Sequence, residues 1–179
     1  MNGPPGVGKS TMARRYVEDH PLVLCLEIDA LRVTLGRWQD HDESKLLARG
    51  LALALAETHL RAGHDVIVPQ YLGHTDFIDA LDDLARTLSV RFVETLLMDT
   101  ESAVNERFQV RRAELSAAGR AHPQADLAEP AVGAVIAESF DRLQAVMAAR
   151  PRTHVIAMTD GLEAGHQALR EAVNAELAD

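Results

Sequence analysis

The segment Gly3-Pro4-Pro5-Gly6-Val7-Gly8-Lys9-Ser10-Thr11 fits the pattern G-x-x-x-x-G-K-[ST] at every specified position. This spacing serves the binding of a polyphosphate. Glycines let the main chain curl so that its N–H groups converge. Lys9 then reaches the β- and γ-phosphates, and the Ser10 hydroxyl is placed to ligate Mg2+. Thr11 adds a second hydroxyl toward the α-phosphate. Pro4 and Pro5 stiffen the entrance without needing an N–H donor. A helix starting near Lys9 would add the positive end of its dipole beneath the phosphates. All nine residues are therefore read as nucleotide contacts, with Ser10 as the metal ligand. No N-K-x-D guanine motif occurs, so ATP is expected rather than GTP.

Two further sets of side chains have types and spacings suited to phosphoryl transfer. Asp29-Ala30-Leu31-Arg32 follows the apolar run Leu22–Ile28. A helix of about ten residues climbs roughly 15 Å from the phosphates, and a strand of seven returns about 23 Å. Asp29 is thereby expected level with the γ-phosphate, where a carboxylate can orient an acceptor hydroxyl and take its proton. The alternative is that Asp29 caps a short helix. Arg32, one turn on, is placed to hold the acceptor or a phosphate on it. Arg107 and Arg111 are four apart, hence on one helix face. They are read as a lid that neutralises charge on the nucleotide, and as an alternative a solvated face paired with Glu106 and Glu114. Arg112 and Arg120 are weaker members of that set.

Where many nucleotide hydrolases end a strand with a metal-supporting Asp, Val66-Ile67-Val68 is followed by Pro69-Gln70-Tyr71. That gap argues against a motor-type ATPase and leaves Gln70 as a candidate contact to the acceptor or a water. Asp99, after Leu96-Leu97-Met98, is a possible substitute but better placed to cap the next helix. The eight histidines show no metal-binding spacing.

Strand and helix patterns alternate throughout, which predicts an α/β fold with a mainly parallel sheet. Helices are expected from Ser10 to about Asp19, from an Asp40/Glu43 capping box to about Ala62, from Asp76 to about Thr87, and from a Thr100 cap to about Ala118. Two more are expected over Ala131–Ala149 and from about Leu162. Strands are expected at Leu22–Ile28, Asp65–Val68, Val90–Met98 and His154–Met158. The Gly, Pro, His and acidic stretch Gly119–Pro130 reads as a loop, and the region around 105–130 as a mobile lid on a single domain, 1–179. Only Met1 and Asn2 precede Gly3, where a buried strand is expected. The reading is a shortened first strand, an empty central sheet position, and weak stability and ATP affinity without upstream residues.

The net charge of −9 argues against a general binder of extended nucleic acid, whose footprint is a basic face, and does not exclude a small nucleotide substrate. An acidic balance suits a cationic acceptor such as an aminoglycoside, and equally suits simple solubility. No apolar run approaches the ~20 residues of a membrane span. With a single cysteine, Cys25, and no signal peptide pattern, a cytoplasmic location is expected.

Taken together, the phosphate loop, Asp29-x-x-Arg32 and the arginine-bearing helix resemble the small P-loop kinases. Nearest are chloramphenicol phosphotransferase, the polynucleotide 5′-hydroxyl kinases and the tunicamycin-resistance-type ATP-binding proteins. Val66-Ile67-Val68-Pro69 looks most like the last, Asp29-x-x-Arg32 most like the polynucleotide kinases. The resemblance implies a P-loop NTPase three-layer sandwich with a five-stranded sheet in the order 2-3-1-4-5, ATP with Mg2+, and transfer to a hydroxyl. By the same resemblance Lys9 stabilises the transferring group, Asp29 is the base, Arg32 the acceptor contact, and Arg107 and Arg111 the lid. The expected activity is transfer of the γ-phosphoryl group to a hydroxyl of a small molecule such as an antibiotic or nucleoside. The rival is an ATP-binding resistance protein that sequesters a ligand with little turnover. Acceptor choice is expected to reside in the loops Gly36–Ser44 and Gly119–Pro130.

Overall fold

The computed structural model describes residues 1–119 and 129–178. Seven helices and four strands alternate among them. In chain order they are α1 (Lys9–Asp19), β1 (Leu24–Cys25), α2 (Ile28–Val33), α3 (Ser44–Arg61), β2 (Val66–Ile67), α4 (Asp76–Leu88), β3 (Thr95–Met98), α5 (Glu101–Ala117), α6 (Glu129–Ala149), β4 (His154–Ala157) and α7 (Gly161–Ala178). A short 3-10 turn, Trp38–Asp40, lies between α2 and α3.

The helices fall close to where the sequence puts them, because their signals are local. Thr100 caps α5 as expected, its hydroxyl accepting from the Ala103 amide at 3.3 Å. The capping box at Asp40 does not form. Asp40 instead accepts from Arg37 within the 3-10 turn, and α3 begins four residues later, at Ser44. The strands are shorter than their apolar runs. Leu22 is held at a φ of 66°, a left-handed conformation that no strand tolerates, so β1 starts after it. At the other end Ile28 already opens α2, which places Asp29 in the first turn of a helix and not at the end of a strand.

Pairing among the described residues forms two parallel sheets of two strands. One sets Leu24 against Val66, and the other runs from Thr95 opposite His154 to Met98 opposite Ala157. Met1 and Asn2 lie between them. The Met1 nitrogen donates to the Val68 carbonyl and the Met1 carbonyl accepts from Gln70. Asn2 exchanges backbone bonds with the other side, donating to Thr95 at 2.7 Å and accepting from Leu97 at 2.9 Å. The central position expected to be empty is occupied, and the phosphate loop has a mount.

The buried Asn2 side chain reinforces that mount. Its Oδ1 accepts from the Gly3 and Leu72 amides, and its Nδ2 donates to the Leu72 carbonyl at 2.9 Å. Every polar atom of the buried amide is therefore used, as burial requires.

Two apolar clusters flank this arrangement. One gathers Val7, Met12, Leu97, Phe108, Ile136, Ile156 and Leu169, tying the phosphate loop to β3, β4 and the helices α1, α5, α6 and α7. The other gathers Leu26, Ile28, Leu72, Phe77 and Ile78 with Ala48, Ala52 and Ala56 of α3. These three alanines recur every fourth residue, so they form one stripe. Their small side chains let α3 lie close to α2 and α4. None of the described helices is long and apolar enough to cross a membrane.

Candidate active site

The phosphate loop is held by close backbone approaches. At Gly3 (φ 148°) a Cβ would sit 2.6 Å from the Leu97 carbonyl oxygen, and at Gly6 (φ 89°) 2.8 Å from that of Val104. Both positions therefore demand glycine. Val7 points down into the core at 2 % exposure, and α1 begins directly after Gly8.

Above the loop opens a cavity of about 570 Å³. Pro5, Gly6, Gly8, Lys9 and Ser10 form its floor, Asp29 and Arg32 of α2 one wall, and Phe108 and Arg111 of α5 another. Pro69, Gln70 and Tyr71, which follow β2, close a further side. The expected base, acceptor contact and phosphate loop thus converge on one space. Gly3, Pro4 and Val7 are buried beneath the loop, and Thr11 is exposed on α1 and does not line the cavity.

Lys9 is folded back onto the loop, donating to the carbonyls of Gly3 (2.8 Å) and Pro4 (2.9 Å). Burial, followed by the nearby Arg111 charge, lowers its pKa to about 7, while Asp29 pulls the other way. Such an ammonium is poorly solvated and gains a great deal from an arriving anion.

The two lid arginines are separated by the structure. Arg111 lines the cavity, but Arg107 does not. Arg107 donates to Asp99 Oδ2 at 2.7 Å and to the Gly6 carbonyl at 3.2 Å, bracing the phosphate loop from behind. Asp99 also accepts from the Thr100 amide. Burial raises the Asp99 pKa, but the hydrogen bonds from Arg107 and Thr100 outweigh it, so the carboxyl stays below its usual range. Asp99 is occupied with Arg107 and the start of α5. Arg112 faces Gln109 on its own helix. Arg120 and most of the Gly119–Pro130 stretch lie outside the described residues.

Trp38 lies in the Gly36–Ser44 loop to which the sequence reading assigned acceptor choice, whereas Lys45 and Arg49 were missed. Trp38, Lys45 and Arg49 line the cavity beside Arg32. The Arg32 Nε donates to Ser44 Oγ at 2.9 Å, and its guanidinium lies 4.8 Å from the centre of the Trp38 ring. The buried Ser44 hydroxyl in turn donates to the Trp38 carbonyl. Lys45 and Arg49 are spaced i, i+4, the same signal used for Arg107 and Arg111, at the start of a helix that follows Asp29-x-x-Arg32.

No group of three His, Cys, Asp or Glu side chains that could hold a metal occurs among the described residues. A magnesium ion arriving with a nucleotide needs few protein ligands, because phosphate and water supply the rest. The Ser10 hydroxyl, which the sequence reading assigns to it, lines the cavity.

Comparison with known proteins bears on the family and the fold. A family model described as an AAA domain matches residues 1–129. A search of curated protein sequences found no match. Among solved structures, a tunicamycin resistance protein from Deinococcus radiodurans is 22 % identical, with a TM-score of 0.57, over 97 % of this chain and 92 % of that one. A candidate kinase from Chloroflexus aurantiacus is 13 % identical, with a TM-score of 0.66, over 96 % and 92 %. A deoxyadenosine kinase from M. mycoides, solved with dCMP and dCDP, is 11 % identical, with a TM-score of 0.54, over 97 % and 96 %. At these identities the likeness is one of fold. With its phosphate loop, α/β architecture and family match, this chain belongs to the AAA domain family, and its fold is similar to that of small P-loop kinases.

Proposed function

We propose that this protein transfers the γ-phosphoryl group of ATP to a hydroxyl of a small molecule. The observation that carries the reading is the convergence of Lys9, Ser10, Asp29, Arg32 and Arg111 on one cavity. The loop amides and Lys9 hold the β- and γ-phosphates, and Arg111 offsets charge that develops on them. Asp29 accepts the proton of the acceptor hydroxyl as its oxygen bonds to the γ-phosphorus, and ADP leaves with the electrons of the broken P–O bond. Ser10 would hold the magnesium carried with the nucleotide, which would offset phosphate charge. Arg107, through Gly6, keeps the loop in shape and is a positioning residue. The same reading takes the chain as one domain with a five-stranded sheet in the order 2-3-1-4-5. The backbone bonds of Met1 to the β2 side and of Asn2 to β3 support that order.

A second reading, ATP-dependent sequestration of a ligand with little turnover, is favoured by one feature. No carboxylate follows β2, and Asp99 after β3 is tied to Arg107. The resistance protein among the similar folds is compatible with it.

Incubation with labelled ATP and a panel of hydroxyl compounds separates the two. Phosphorylated product is expected, and acceptor-independent ATP binding with no product would leave sequestration. Asp29→Asn is expected to lower turnover by about 10²–10⁴-fold, the usual span of general base catalysis, with ATP affinity unchanged. Retained turnover would remove Asp29 from the mechanism.

A further inference from the structure

The wall formed by α2, the 3-10 turn and α3 has an electrostatic character opposite to that of the chain. Arg32, Lys45 and Arg49 all line the cavity there, in a protein of net charge −9. Among the described residues none of the three forms an ion pair. Arg32 is engaged by the neutral Ser44 and Trp38, Arg49 lies over the Phe77 ring at 5.3 Å, and Lys45 is exposed. The lining carboxylates are spoken for. Glu27 pairs with Arg14 at 3.0 Å, and Asp29 is the proposed base. Asp42 and Glu43 are exposed and do not line the cavity.

Arg32 is also pre-organised. Ser44 is 2 % exposed, and its hydroxyl takes the Nε of Arg32. The Trp38 ring supports the guanidinium from one side. With Nε engaged by Ser44, the terminal nitrogens are left as a planar fork, the geometry that matches a carboxylate or phosphate. Three cations facing one cavity repel each other, and a neutral alcohol would leave that repulsion in place.

We propose that the phosphoryl acceptor is an anionic alcohol, a hydroxyl compound bearing a phosphate or a carboxylate. Arg32, Lys45 and Arg49 hold its anion while its hydroxyl faces Asp29. This rests on the phosphotransfer reading and narrows it. It also reverses the expectation, drawn from net charge, of a cationic acceptor such as an aminoglycoside: the local wall decides which ligand is held, and the surplus of acid lies elsewhere.

The test uses the full chain saturated with magnesium and a non-hydrolysable ATP analogue, so that the phosphate loop is filled. Glycerol, glycerate and glycerol 3-phosphate, and separately uridine and uridine 5′-phosphate, are titrated by calorimetry. At least one anion is expected to bind about tenfold or more tightly than its neutral partner, and the carboxylate and phosphate arms say which group is recognised. Lys45→Gln and Arg49→Gln are each expected to weaken that anion about tenfold, the scale of one charge-assisted contact, with the analogue affinity unchanged; Arg49→Gln also gives up the contact with Phe77, so its fold is checked by circular dichroism. Anions that bind no better than the neutral compounds, or that ignore both substitutions, overturn the proposal. If the analogue itself gives no heat, the kinase reading fails on its own. The dependence of anion binding on Lys45 and Arg49 is then still read without nucleotide.

Discussion

Lys9 shows how a single residue can be set in tension by its surroundings. In the free protein its ammonium is buried, faces Arg111, and contacts two carbonyls of its own loop, which brings its pKa to about 7. A bound triphosphate stabilises the charged form and raises that pKa. The sign follows directly. Above pH 7 the free protein has lost the proton and the complex retains it, so binding takes up a proton. Affinity for ATP is then expected to fall by up to about tenfold per pH unit as pH rises above 7, since one unit of pKa corresponds to a factor of ten. Calorimetry in buffers of different ionisation enthalpy measures the uptake directly. Lys9→Met is expected to abolish the slope along with most of the affinity, and an unchanged slope would assign the proton elsewhere.

At the scale of elements, the phosphate loop depends on three junctions. Gly3 fits under Leu97 of β3, Gly6 fits against Val104 of α5, and Asn2 stitches the loop to Leu72. Asn2 is polar, 4 % exposed and fully bonded. Replacing it with alanine leaves the Gly3 amide and both polar groups of Leu72 without partners in a buried place. Each unmet group costs about 1–3 kcal/mol, so Asn2→Ala is expected to lower stability by about 3 kcal/mol. The denaturant midpoint checks this, and a shift under 1 kcal/mol would mean that water replaces the amide. Helix positions were legible because their signals are local: Thr100 caps α5 by accepting from the Ala103 amide, and Pro21 and Gly63 stop the helices before them. Strand ends were not. The left-handed turn at Leu22 and the early start of α2 at Ile28 come from how the chain must enter and leave the sheet, which no run of apolar residues encodes.

Across the whole molecule, the cavity and an ion-pair clamp lie at opposite ends of the parallel strands. The cavity collects the segments that follow Asn2, β1 and β2, as expected for the carboxyl ends of parallel strands. At the amino ends Arg150, which follows α6 and precedes β4, donates to Glu94 before β3 and to Asp79 and Asp82 of α4, the latter two at 2.7 and 3.0 Å. One half-buried guanidinium thus ties three elements together. Burial pushes the Asp82 pKa up, but the Arg150 hydrogen bond and the charges of Arg86 and Arg150 outweigh it and keep the group ionised. Arg150→Met removes a partner from carboxylates that remain partly buried. A loss of about 3 kcal/mol is expected, with ATP affinity unchanged because the clamp is remote from the phosphate loop. Urea unfolding and nucleotide titration of the same variant test both halves of the statement.

The sequence alone determined the phosphate loop, the alternation of helix and strand, and the identity of Asp29 and Arg32 as cavity residues. These rest on short-range spacing, which the chain states directly. Tertiary structure decided what spacing cannot express. It separated Arg107 from Arg111, although they share a helix face, because Asp99 and the Gly6 carbonyl lie within reach of only one of them. It placed Met1 and Asn2 between the two strand pairs. It brought Lys45 and Arg49 beside Arg32, since Ser44 docks Arg32 against the first turn of α3. Contacts between residues distant in sequence depend on which faces pack together, and packing is settled by the whole fold.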